Sequence, residues 1–135
     1  MDHGFPFMQS GGFLGLPFST NNDAKKRFAV VGTCWDGCVT NRPSARFGPN
    51  AIRHASHMLC GDEHPYCETT PVNDTVDLGN LPLPNTSLEA MRAALMPQAA
   101  ALIATKTMVW LGGDHSITLP LLRAYKKRII KRRWR

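Results

Sequence analysis

Three short apolar runs alternate along the chain with longer segments of helical periodicity. Phe28, Ala29, Val30 and Val31 form the buried run of a first strand, predicted over residues 27–33. A short second strand is expected at residues 75–78, inside the segment 72–79. The third, residues 107–111, holds Met108, Val109, Trp110 and Leu111, a continuous apolar stretch of the kind buried on both faces of a sheet. Each strand is followed by a helix signal. Gly48 and Pro49 open the first helix, with proline near N1, where its missing N–H costs nothing. Ala51, Ile52, Ala55, Met58 and Leu59 would form its apolar stripe. A second helix is expected from Ser87 to about residue 104, burying Leu88, Met91, Leu95, Ala99 and Leu102. Thr86 and Glu89 fit a capping box at its start, and Pro97 should kink it or end its first half. Ser116 is a good N-cap for a third helix that begins with Ile117, Leu119, Leu121 and Leu122. The alternation predicts an α/β fold with a parallel sheet and right-handed crossovers.

The ends depart from this pattern. Residues 1–26 are rich in Gly, Pro, Ser and Asn and lack periodicity. They read as an extended arm whose Phe5, Phe7, Phe13, Leu14, Leu16 and Phe18 could lie on the parent domain or a sister subunit. Residues 126–135, KKRIIKRRWR, hold seven of the sixteen Lys and Arg and no acid. The other 125 residues carry nine basic and ten acidic side chains, a balance of −1, so the net charge of +6 comes from the tail. Three units follow: the arm at 1–26, an α/β domain at 27–125, and the basic tail at 126–135. By composition, 43% hydrophobic and 19% charged, the chain is globular. With no apolar run of membrane-spanning length and no secretory signal, it is expected in the cytoplasm, with no membrane partner.

Candidate chemistry concentrates after the third strand, in GGDHS. Gly112 and Gly113 should end the strand through conformations open only to glycine. Asp114 and His115 then fall at the carboxyl end of a buried strand, beside a helix N-terminus, the edge where open α/β sheets bind ligands. The positive helix end disfavours imidazolium and so favours the neutral, metal-ligating form of His115. The loop after the first strand, with Asp36, Arg42 and Arg46, leaves the same edge; the two arginines could face an active-site mouth, and the favoured reading is that they tie the loop down by bonding carbonyls. His54 and His57 share a helix face off the apolar stripe and read as solvated. Cys34, Cys38, Cys60 and Cys67 form no C-x-x-C pair, so free thiols are expected; a zinc site drawing in His64 is the weaker reading.

GGDHS followed by ITLPLLRA resembles the first metal-binding signature of the ureohydrolases, the arginase and agmatinase family. NRPSARFGPNAIRHAS, residues 41–56, resembles the agmatinase-type segment, with Ser44 where glycine is usual, and VDLGN resembles the family's second strand. Cys34-Trp35-Asp36 departs from the usual Pro-Phe-Asp. The resemblance covers about residues 10–126. It implies the N-terminal portion of an arginase-type parallel sheet, three strands and three helices on both faces, with the second, first and third strands adjacent. It further implies a manganese-dependent hydrolase that splits a guanidino compound, agmatine or 4-guanidinobutyrate, into urea and an amine. Two manganese ions would lower the pKa of a bridging water. On this reading His115 is a metal ligand and Asp114 orients it, and the intact protein is a homo-oligomer. The later signatures DAHxD and SxDxDxxDP do not occur, so the chain is expected to be a truncated, inactive form. The alternative is a nucleic-acid or anionic-surface binder acting through the tail, with nucleic acid the less favoured partner on the family reading.

Overall fold

The structure, a computed structural model, describes residues 11–19, 25–59, 63–64 and 66–133, with the backbone alone from 127 to 133. Strands β1 (Phe28–Thr33), β2 (Thr75–Asn80) and β3 (Thr107–Gly112) form a parallel sheet in the order β2-β1-β3. Helices α1 (Gly48–Ser56), α2 (Leu88–Thr105) and α3 (Thr118–Arg133) follow them in turn. The strand order and the three-strand, three-helix composition match the partial arginase-type sheet expected from the sequence. Among the described residues no helix is long and apolar enough to cross a membrane.

The central strand is the most deeply placed. Ala29 through Thr33 are all buried, as the apolar run predicts. Ala29 and Val31 face a cluster in which Met91, Leu95, Ala99 and Ile103 of α2 meet Met108 of β3 and Ile117, Leu121 and Ala124 from the turn and helix after it. Thus α2 and α3 pack together on one face of the sheet, and α1 lies on the other. β3 is less enclosed than its apolar run predicts. Val109, on the α1 side, is 45% exposed, and Trp110, on the opposite side against Tyr125 of α3, is half-buried; among the described residues only β1 pairs with β3.

Two helix starts differ from expectation by a short slide. The α2 cap is Ser87, whose hydroxyl accepts the Ala90 amide hydrogen at 3.1 Å, so Thr86 and Glu89 make no capping box. Both hydroxyl residues are competent caps, and the chain uses the later one. Before α3, Asp114 caps a single 3₁₀ turn, His115–Ile117, and Ser116 lies inside that turn. Pro97 is accommodated within one continuous helix, α2. On the buried side of α2 the fourth position is Ile103; Leu102 is half-buried.

The largest correction concerns α1. Its buried residues are Pro49, Arg53 and Ser56, while Ile52, Met58 and Leu59 are 43%, 79% and 62% exposed and Ala51 and Ala55 are also exposed. Helix orientation is set here by an ion pair and not by the apolar stripe. Asp77 of β2 is fully buried and takes Arg53 Nε at 2.8 Å and an Arg53 terminal nitrogen at 2.9 Å, one on each carboxylate oxygen. Arg53 also donates to Asn80 Oδ1 and the Gly79 carbonyl. A buried charge pair is tolerable only when its remaining donors and acceptors are matched in this way. Gly79, at φ +72°, supplies the left-handed residue that brings its carbonyl and Asn80 round to the guanidinium.

The same node holds the arm. Phe13 N donates to Asp77 Oδ2 at 2.7 Å, Ser19 N to the Asp77 carbonyl, and Leu14 N to Ser56 Oγ. His57 is half-buried rather than solvated, with Nε2 2.8 Å from the Gly12 carbonyl, whereas His54 is exposed. Backbone polar groups, not buried phenylalanines, therefore seat residues 11–19 on the domain; Phe18 is 54% exposed and lies under the Arg53 guanidinium. Phe5 and Phe7 lie outside the described residues. Arg53→Met strands Asp77 as an uncompensated buried charge and should destabilise the fold by about 3–5 kcal/mol. Urea unfolding of the two proteins measures this; a loss below about 1 kcal/mol would contradict the role given to the pair.

Candidate functional site

The carboxyl edge of the sheet is assembled where the segments leaving β1 and β3 meet. After β1 the chain turns at Trp35, which is buried, and its carbonyl accepts the Asp114 amide hydrogen at 2.8 Å. Gly113 is required at this crossing: a Cβ there would lie 1.8 Å from the Trp35 carbonyl oxygen. The need is close approach and not unusual torsion, since neither Gly112 nor Gly113 has a positive φ.

Asp114 is buried, and its carboxylate joins two backbone segments. Oδ1 accepts the Ser116 amide at 2.8 Å and the Ser116 hydroxyl; Oδ2 accepts the Cys38 amide at 2.8 Å. The indole N–H of Trp35 donates to Ser116 Oγ at 3.1 Å, which closes the ring of contacts. His115 is thereby presented at the outer side of the first helical turn. It is exposed, with Nδ1 3.3 Å from Thr118 Oγ1. Within the site the structure brings together the two sequence-predicted residues, one solvent-facing imidazole and one fully engaged carboxylate.

Asp36 forms a second buried carboxylate beside them, with only 1% of its side chain exposed. Oδ1 receives Arg46 Nε at 2.6 Å and is ion-paired to a terminal nitrogen of the same guanidinium; Oδ2 accepts the Ser44 amide at 3.0 Å. Arg46 thus ties the loop down through a carboxylate instead of the carbonyls expected from sequence, and Arg42 is exposed. Ser44 has φ 142°, a backbone region that strongly favours glycine, so a serine there is strained. Cys34 is half-buried, and burial raises its thiol pKa against a smaller opposing pull from Arg53, which keeps it a protonated, weak nucleophile. Cys38 and Cys67 are free and exposed, and Cys60 lies outside the described residues.

A two-ion metal centre needs several anionic and imidazole donors within reach of each other. Among the described residues no three His, Cys, Asp or Glu side chains gather in that way. Asp114 and Asp36 have committed their oxygens to amides and a guanidinium, which leaves His115 as one candidate ligand. The donor set present does not fit a complete centre. Arg53 and Asp77 were not singled out by sequence reasoning, and Asp36 was placed in the loop without a role. The i, i+4, i+7 spacing of Pro49, Arg53 and Ser56 was the signal for Arg53, masked by the more apolar face beside it.

A model of the arginase family matches residues 26–133. An agmatinase of Cronobacter sakazakii is 36% identical over 121 residues, which is 86% of this chain and 40% of that protein; one of Salmonella enteritidis is 34% identical over the same shares. Among solved structures, the proclavaminate amidino hydrolase of Streptomyces clavuligerus superposes with a TM-score of 0.82 at 26% identity, over 93% of this chain and 42% of its own. A hypothetical agmatinase from Burkholderia thailandensis gives 0.81 at 26% identity, over 91% and 40%. The chain spans about two-fifths of the length of these relatives.

Two outcomes follow for the loop. Ser44→Gly relieves the backbone strain and should stabilise the fold by about 1 kcal/mol; thermal unfolding reads this, and a lowered Tm would contradict it. The hydrogen bond and charge of Arg46 hold the Asp36 carboxyl below its ordinary value of 3.8. A carboxyl whose folded pKa is depressed stabilises fully above the unfolded value and loses that contribution as pH falls through the folded one. Wild type should therefore be more stable than Asp36→Asn at neutral pH, with the difference closing below about pH 4. A gap that stays constant from pH 7 to 3 would refute the coupling.

Proposed function

The chain belongs to the arginase family, and on that premise we propose that it carries the first ligand-bearing segment of a manganese-dependent ureohydrolase acting on agmatine or 4-guanidinobutyrate. The observation behind this reading is the GGDH turn: an exposed imidazole held at the carboxyl edge of a parallel sheet by a carboxylate that has no other work left to do. His115 is the metal ligand in this assignment. Asp114 is the positioning residue, because each of its oxygens already accepts a backbone N–H. Charge at the metal would be supplied by carboxylates other than these.

The family substrate is a small guanidino compound, and the products are urea and an amine. One imidazole cannot hold two dications against their mutual repulsion, so this chain by itself has no turnover. Incubation with manganese and either agmatine or 4-guanidinobutyrate, followed by urea assay, should give no release above the protein-free control. Robust release that disappears in His115→Ala would overturn the inactivity and retain the ligand; release that survives that substitution would overturn both.

A further inference from the structure

The basic tail is left unused by the ureohydrolase reading, and the fold gives it a place. α3 runs through Arg133, so residues 126–133 continue a helix whose first half packs on the sheet. Arg123 and Lys126 are exposed on it. Lys127 stands four positions after Arg123, Lys126 three after it, and Arg133 seven after Lys126, which sets the four positions within about a third of the helix circumference, as a line of cations. No acid occurs from Tyr125 to the last residue.

The direction of α3 fixes which end of the domain this line reaches. Tyr125 accepts a hydrogen bond from Trp110 Nε1 at 3.3 Å, near the middle of β3. Eight further helical residues advance about 12 Å, against about 10 Å from Trp110 back to Thr107 along the strand. The basic half of α3 therefore extends toward the amino edge of the sheet, where Lys25, Lys26 and Arg27 precede β1. Some of that local charge is already engaged: Arg27 pairs with Asp74 at 3.8 Å, and Lys26 Nζ donates to the Asn73 carbonyl. The helix line is the larger source of positive charge, and it sits at the opposite edge from His115.

We infer that the line Arg123, Lys126, Lys127 and Arg133 binds the phosphodiester backbone of a nucleic-acid duplex without reading its sequence. Charge complementarity selects this partner. A duplex presents closely spaced phosphates along a rod, and lysine and arginine at helical spacing neutralise them with release of counterions. An acidic membrane fits less well, because a surface-lying helix needs an apolar stripe flanked by cations. Here Ile129 and Ile130 do fall on the strip of Leu119 and Leu122, but Lys126 and Arg133 occupy positions inside that strip and break its apolar continuity.

Fluorescence anisotropy of the full chain with a labelled 20-base-pair duplex tests this, with DNA and RNA arms. The shared backbone predicts binding in both arms, weakening a few-hundred-fold between 50 and 200 mM salt, with a log–log slope of about −4 for four or five phosphates. Replacing Arg123, Lys126, Lys127 and Arg133 by glutamine should weaken binding at least tenfold and flatten the slope, while Arg42→Gln at the other edge changes neither. Far-UV circular dichroism checks the fourfold variant. If it is unfolded, Lys126→Gln and Lys127→Gln singly should each reduce the slope by about one. No duplex binding at 50 mM salt, binding that keeps its slope in the glutamine variants, or retention only by phosphatidylserine vesicles or polyglutamate would overturn the inference.

Discussion

One carboxylate, Asp114, holds together the carboxyl edge of the sheet. It sits where the chain leaving β3 crosses the chain leaving β1, and it accepts amide hydrogens from both. Without it, the Cys38 and Ser116 amides would lose their part-buried hydrogen bonds, each contributing on the order of 1 kcal/mol. The crossing is tight enough that only glycine fits at 113, and the Trp35 indole completes the contact from the other side. His115 owes its outward presentation to this joint, since its own side chain makes only a 3.3 Å approach to Thr118.

Buried acids do similar work elsewhere. Asp77 fastens α1 and the arm to β2, and Asp36 fastens the loop between β1 and α1 to itself through Arg46. Each carboxylate gathers several donors, which is why so small a sheet carries ordered polar connections instead of extended apolar contacts. The cost appears on the other side of α1 and just after it, where Ile52, Met58 and Leu59 are exposed. A helix turned by its arginine cannot also be turned by its aliphatic residues.

Sequence patterning made the strands and the order of elements legible, because a run such as Phe28 to Val31 has few other stable uses. The strand order came from family resemblance, which periodicity cannot supply. The helix starts were blurred by neighbouring residues of equal capping ability, Thr86 beside Ser87 and Asp114 near Ser116. The orientation of α1 was not legible, since a buried arginine is invisible until its partner on another strand is known. For the site, His115 and Asp114 were found from the GGDH spacing, and Asp36 was passed over because one acid in a loop carries no local signal.

Membership of the arginase family accounts for the parallel sheet. The carboxyl edge of that sheet rests on Asp114 acting as the joint between the two segments that meet at it. Amide hydrogen exchange in wild type and Asp114→Ala tests it most directly. The joint predicts that the Cys38 and Ser116 amides lose protection together in the variant while Val30 and Val31 of β1 remain protected. Protection unchanged at Cys38 and Ser116 would contradict it.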